Sequence, residues 1–279
     1  MNGLTHITQT FASTQAQGRA ALMPYYTLGY PDMETSLSIL EAVACSGADL
    51  LELGIPFSDP LADGPTIQHS TQVALEQGMT VSRSLELVSR LRARGITQPL
   101  LLMGYYNPIL SYRGATEEAQ GVAGFVAGAA AAGADGFIVP DLPPEEAEQM
   151  EAACQAYQLA LVYLLAPTST PERIALVAAR TSGFLYLVSL TGVTGAREAL
   201  PLDLADFVRR VRAVSSLPMA VGFGIATPEQ AHAVGQLADG VIVGSALINA
   251  VDRAADPART AAGFVSSLYQ ALLSTESMR

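Results

Sequence analysis

Eight short apolar runs recur along the chain, separated by segments of helix length, and this alternation limits the fold more than any other feature. The runs cover residues 20–27, 49–53, 99–103, 136–140, 160–165, 184–189, 219–222 and 240–243. They are apolar almost throughout, not at every second position, as expected of parallel strands covered on both faces. Helix-like patterns occupy 33–45, 82–94, 117–131, 145–157, 171–180, 204–214 and 228–235. Thr170-Pro171 and Thr227-Pro228 each supply an N-cap followed by proline in the first turn. Eight such units predict an α/β chain folded as a closed (β/α)8 TIM barrel, in preference to a doubly wound sheet. No G-x-G-x-x-G follows the first run, which argues against a dinucleotide site. The 279 residues suit one barrel of roughly 250 residues and contain no linker-like stretch, so 1–279 is expected to be a single catalytic domain.

Ahead of the first run, Leu4, Ile7 and Phe11 form an apolar stripe at helical spacing. This predicts an extra N-terminal helix that covers the bottom of the barrel. A second local pattern also repeats. Gly47-Ala48-Asp49 and Gly133-Ala134-Asp135 each lead into a strand, and Leu237-Ala238-Asp239 does so without the glycine. In the first two, glycine at the helix end can take the left-handed conformation before the chain enters the strand.

Composition narrows the chemistry. The net charge of −11 leaves no basic surface for nucleic acid and favours solubility. All 15 cationic residues are arginine, so lysine Schiff-base chemistry, a covalently held pyridoxal group and a P-loop are excluded for this chain. His6, His69 and His232 lie far apart on unlike segments, and no metal site is expected. Cys45 and Cys154 fall in helix-like segments and are expected to be reduced, partly buried thiols. No apolar run approaches the roughly 20 residues of a membrane span, and the N-terminus lacks a signal-peptide pattern. A cytoplasmic protein without membrane contact is expected.

The most informative stretch is Leu51-Glu52-Leu53-Gly54-Ile55-Pro56-Phe57-Ser58-Asp59-Pro60-Leu61-Ala62-Asp63-Gly64-Pro65. Glu52 sits near the C-terminal end of an apolar strand. If Leu51 and Leu53 face the helices, Leu50 and Glu52 face the barrel interior. Burial there raises the pKa of a carboxyl group and makes it a proton donor and acceptor near neutrality. Asp59 and Asp63 follow in a proline-rich loop at the catalytic end; spacing alone does not choose between them. At the other side of the barrel mouth, Gly222-Phe223-Gly224 ends the seventh run and Gly244-Ser245 the eighth, with a helix beginning close by. Barrels commonly bind phosphate at this place, on backbone N–H groups and a helix N-terminus. The loop 190–200, with Thr191, Gly192, Thr194 and Gly195, has the length and glycine content of a mobile lid.

The carboxylate stretch resembles the signature of the tryptophan synthase α subunit, L-E-L-G-x-P-F-S-D-P-x-A-D-G-P. The resemblance extends to Tyr26-Thr27-Leu28-Gly29-Tyr30-Pro31, Met103-Gly104-Tyr105-Tyr106-Asn107-Pro108, Pro140-Asp141-Leu142-Pro143, Thr191-Gly192-Val193-Thr194-Gly195 and Gly222-Phe223-Gly224-Ile225. It implies that Glu52 and Asp63 are the catalytic carboxylates and Asp59 a supporting loop residue. It adds Gly195 to the phosphate-binding set of Gly224, Gly244 and Ser245, and places Tyr186, Thr194 and Phe223 against the substrate. Leu190 stands where some family members carry arginine. The implied reaction is retro-aldol cleavage of indole-3-glycerol phosphate to indole and glyceraldehyde 3-phosphate, in tryptophan biosynthesis. The chain itself is expected to need no cofactor; pyridoxal phosphate belongs to a β subunit, with which an α2β2 assembly is implied. Exposed residues in Pro56-Phe57, Tyr105-Tyr106-Asn107-Pro108 and Asp141-Leu142-Pro143 are expected to form its docking face. Two other readings stay open: a free-standing lyase of the same chemistry, and a silent barrel that only activates a β-type partner.

Overall fold

The computed structural model describes residues 2–114, 119–188, 203–222 and 224–273. Nine parallel strand segments run through it: β1 Ala21–Thr27, β2 Leu51–Gly54, β3 Leu100–Met103, β4 Gly136–Ile138, β5 Ala160–Val162, β6 Leu164–Leu165, β7 Leu185–Val188, β8 Met219–Gly222 and β9 Gly240–Val243. Their order is β5-β4-β3-β2-β1-β9-β8-β7-β6. The two ends of this list are consecutive in the chain. β5 pairs with β4 and β6 with β7, and Tyr163 alone separates them. The run 160–165 is thus one stave that changes partner half-way, and nine segments close an eight-stranded barrel. Tyr163 takes part in the closure, since its carbonyl accepts from the Tyr186 N–H at 3.2 Å.

Strand alternation separates two apolar layers. Leu51 and Leu53 pack outward against the helices, whereas Leu50, Leu101, Ile138, Val162, Ala220 and Ile242 fill the barrel. The helix Gly3–Ala16 closes the bottom as expected. Ile7 and Phe11 belong to the interior cluster, and the Phe11 and Phe184 rings lie 5.4 Å apart. Helices Pro171–Arg180 and Pro228–Gly235 match the sequence reading, each capped by its threonine. The segment 145–157 divides into a 3-10 turn, Pro144–Glu146, and a helix, Glu148–Tyr157. Helices Pro65–Glu76, Tyr106–Leu110 and Pro257–Leu273 were not anticipated from periodicity. Cys154 is buried as expected, but Cys45, at the end of its helix, is exposed.

The repeated Ala-Asp pattern has a physical purpose at the bottom of the barrel. Asp49 accepts from the Leu22 N–H at 2.8 Å and pairs with Arg19. Asp135 accepts from Leu100 N–H at 2.8 Å and pairs with Arg92. Asp239 accepts from Met219 N–H at 2.8 Å and pairs with Arg212. In each case the aspartate fixes the first turn of its own strand to the start of the neighbouring strand. Asp135 also meets the Nδ1 atom of His6 at 2.8 Å, which ties the N-terminal helix to the same point. Asp135→Ala leaves a buried strand N–H without its acceptor and removes the carboxylate partner of Arg92, which keeps only the carbonyls of Gly133, Ile96 and Gln98. It is expected to lower unfolding free energy by about 3 kcal/mol. Denaturant titration measures this, and a loss below about 1 kcal/mol would show that the clamp is not needed for stability.

Candidate active site

Glu52 lies on β2 and is wholly buried, facing the barrel mouth beside its register partner Tyr25 on β1. Its Oε2 receives a long contact, 3.5 Å, from the Tyr186 hydroxyl on β7. Its Oε1 has no hydrogen-bond partner among the described residues. A buried carboxyl oxygen without a protein partner is rare and marks Glu52 as a candidate functional group. Burial pushes the Glu52 pKa up to about 8, the charge of nearby Asp63 adds to the rise, and the Tyr186 hydroxyl opposes it.

Asp63 sits at the end of the loop after β2, one residue before the Gly64 N-cap of helix Pro65–Glu76. Tyr105, from the loop after β3, donates to Asp63 Oδ2 at 3.0 Å and accepts from the Ala62 N–H at 2.8 Å. Tyr105 therefore holds both the carboxylate and the loop that carries it. Burial raises the Asp63 pKa to about 6, against the lowering effect of Tyr105. Two carboxyl groups are thereby driven apart in acidity. Between about pH 6 and pH 8 the pair holds one proton, principally on Glu52, and Asp63 is the anion.

Glu52, Asp63, Tyr186, Gly224, Gly244 and Ser245 all line one cavity of about 230 Å³. The structure thus brings together six of the nine residues selected from sequence. The other three, Thr194, Gly195 and Phe223, lie outside the described residues, as does the whole 190–200 loop. Asp59 is exposed; its carboxylate accepts from the neighbouring Ser58 hydroxyl at 2.6 Å and its carbonyl from the Leu61 N–H at 2.9 Å.

The sequence reading missed Tyr25, Thr66 and Asn249, which also line the cavity. For Tyr25 the signal was present: it continues the inward alternation of Ala21 and Met23. Three residues expected at an exposed docking face are instead buried. Pro56 is buried, Leu142 joins the hydrophobic core, and Tyr105 turns inward to Asp63. Among the described residues the most exposed large apolar one is Leu61, at 94%, in the loop between Glu52 and Asp63.

The sequence profile of the tryptophan synthase alpha chain matches residues 11–274. The chain belongs to the tryptophan synthase alpha chain family. It is 49% identical to the tryptophan synthase alpha chain of Chloroflexus aggregans, over 98% of this chain and 99% of that one. In three dimensions it superposes on a chain of Mycobacterium tuberculosis tryptophan synthase with a TM-score of 0.87, at 39% identity, covering 95% of this chain and 97% of that one. The tryptophan synthase alpha chain of Legionella pneumophila gives the same TM-score at 38% identity, with both chains fully covered. As a member of this family, the chain is a carbon–carbon lyase of tryptophan biosynthesis that cleaves indole-3-glycerol phosphate. Among the described residues no group of three or more His, Cys, Asp or Glu is placed to hold a metal ion, and no helix is long and apolar enough to cross a membrane.

Proposed function

We propose that Glu52 and Asp63 perform the cleavage as a divided acid–base pair, within one catalytic domain formed by the whole chain. Breaking the bond between indole C3 and the glycerol phosphate requires an electron sink. With no lysine for a Schiff base, the substrate's own ring is the natural one. Glu52, holding its proton near neutrality, protonates C3 and creates an iminium-like ring. The C–C bonding electrons then return to the ring, the adjacent hydroxyl becomes the aldehyde, and its proton passes back to Glu52. Asp63, as the anion, accepts from the ring N–H and stabilises the transient positive charge. The observation that carries this reading is the buried, unpartnered Oε1 of Glu52 facing a cavity it shares with Asp63. Indole release from indole-3-glycerol phosphate by the isolated chain tests it. A chain that binds substrate and a β subunit but releases no indole would be the silent activator instead.

The phosphate is assigned to Gly224, Gly244 and Ser245 together with Gly195, and the rest of the substrate to Tyr186, Thr194 and Phe223. Gly224 has φ of +64°, a conformation that favours glycine, and Ser245 opens the helix Ser245–Val251, in which the Leu247 and Ile248 N–H groups donate to the Gly244 carbonyl and the Ser245 and Ala246 N–H groups precede that first bond. Gly244→Val is expected to weaken substrate and glyceraldehyde 3-phosphate about tenfold, or about 1.4 kcal/mol, and to relieve competition by inorganic phosphate. Unchanged phosphate competition would move the anion elsewhere.

The partner is a tryptophan synthase β subunit carrying pyridoxal phosphate, in a cytoplasmic α2β2 assembly. Leu61, and Leu110 at the end of the short helix after β3, offer apolar surface at the catalytic face. Co-purification with the β subunit separates this reading from a free-standing lyase.

A further inference from the structure

The hydroxyl of Tyr25 ends a buried chain of hydrogen bonds whose direction can be worked out. Ser70, on helix Pro65–Glu76, donates to the Ile67 carbonyl at 2.9 Å, which uses its only hydroxyl hydrogen. With the Ser70 hydrogen on the Ile67 carbonyl, Thr27, 2.7 Å from Ser70 Oγ, is the donor in that pair. Thr27 then has only lone pairs left for Tyr25, whose hydroxyl stands 3.4 Å away. The phenolic hydrogen points to Thr27, and the remaining lone pair of the Tyr25 oxygen is turned toward the other groups around it.

Those groups are the reacting ones. Tyr25 is the register partner of Glu52 and lines the cavity with Glu52 and Asp63. Its position is enforced. A Cβ on Gly54 would come within 2.1 Å of the Tyr25 hydroxyl oxygen, and one on Gly244 would stand 3.3 Å from the Tyr25 Cβ. The phenol thus runs from the glycine corner beside Gly244 toward the carboxylates. The titratable groups facing it are Glu52, Asp63, Tyr105 and Tyr186, so a free phenolic hydrogen would be drawn to a carboxylate. Thr27 and Ser70, both wholly buried, prevent this by engaging it.

We propose that Tyr25 is a substrate-positioning residue: Thr27 and Ser70 fix its hydroxyl as a hydrogen-bond acceptor for an N–H or O–H of the substrate between the carboxylates and the phosphate corner. This rests on the cleavage of indole-3-glycerol phosphate proposed above. It goes beyond that reading by assigning a polar contact to a residue outside the acid–base pair.

Steady-state cleavage and calorimetric binding should be measured for the wild-type chain, Tyr25→Phe, Thr27→Val and Thr27→Ser. Three ligands are needed: the substrate, its 1-methylindole analogue and an analogue lacking the side-chain hydroxyls. Tyr25→Phe is expected to weaken substrate binding and to lower kcat/KM about tenfold, the effect of one lost hydrogen bond in a buried site. Its penalty should vanish for whichever analogue lacks the donor, which separates N–H from O–H. Thr27→Val frees the phenolic hydrogen to donate to Asp63 and should move the acid limb of the pH profile to lower pH. Thr27→Ser should restore the wild-type profile. An equal penalty for all three ligands, or an unmoved pH profile in Thr27→Val, overturns the proposal. Absence of wild-type indole release together with donor-dependent binding through Tyr25 would sink the cleavage mechanism and leave the positioning assignment standing.

Discussion

Glu52→Gln is expected to reduce indole release by roughly 100- to 10,000-fold, the range for loss of a general acid–base group. The amide preserves shape and can still accept from the Tyr186 hydroxyl, so the cavity should persist. Stability should move the opposite way. The folded-state pKa of Glu52 is raised from 4.5 to about 8, so folding near neutrality requires the group to take up a proton. Its contribution to stability is full below about pH 4.5 and is lost as pH rises toward about 8. Glutamine carries no such penalty. Thermal unfolding of Glu52→Gln should therefore match wild type near pH 4 and exceed it near pH 8. Slow turnover with a raised melting temperature at alkaline pH identifies a functional group held at a stability cost. Near-wild-type turnover would remove Glu52 from the chemistry.

The same pair predicts a bell-shaped pH profile for kcat/KM, with limbs near pH 6 and pH 8. The acid limb reports neutralisation of Asp63 and the alkaline limb loss of the Glu52 proton. A single limb, or a plateau across this window, would mean that the two carboxyl groups do not share the work.

How much of this was legible in the sequence depends on the kind of interaction involved. The strands were visible because parallel staves are buried on both faces, so their residues had to be apolar; Met219–Gly222 and Gly240–Val243 were placed to the residue. Glu52 stood out for the complementary reason, as a charge in a run that admits none. Asp63 was different: nothing local distinguishes it from Asp59. The distinction arises from Tyr105, 42 residues later, whose hydroxyl selects Asp63 and leaves Asp59 to solvent. The helix Pro65–Glu76 was overlooked because its first turn is hidden in a proline-rich loop motif and its buried face includes Ser70 and Thr71. The Asp49, Asp135 and Asp239 pattern was visible as a repeat, but its purpose was not, because each partner strand begins far away in sequence.

Asp63→Asn is expected to slow the chemical step by about 100- to 1000-fold, or about 2.7–4 kcal/mol, as for removal of a preorganised group facing developing charge. The asparagine oxygen can still accept from Tyr105, so the loop and the binding cavity should be retained. Single-turnover cleavage should therefore fall while the dissociation constant of glyceraldehyde 3-phosphate stays within about threefold. The substitution also alters its neighbour. The Asp63 charge is the second cause of the raised Glu52 pKa, after burial. Without it Glu52 should ionise more readily, and the alkaline limb should shift below pH 8 without returning to an ordinary carboxyl value. Tyr105→Phe provides the complementary test. It removes the hydrogen bond that lowers the Asp63 pKa, so the acid limb should rise above pH 6 while the alkaline limb changes little. Opposite movements of the two limbs in these variants can arise only if each carboxyl group is titrating in its own role. A raised dissociation constant in Asp63→Asn with unchanged single-turnover cleavage would instead assign Asp63 to binding, and leave Glu52 to act without an electrostatic partner.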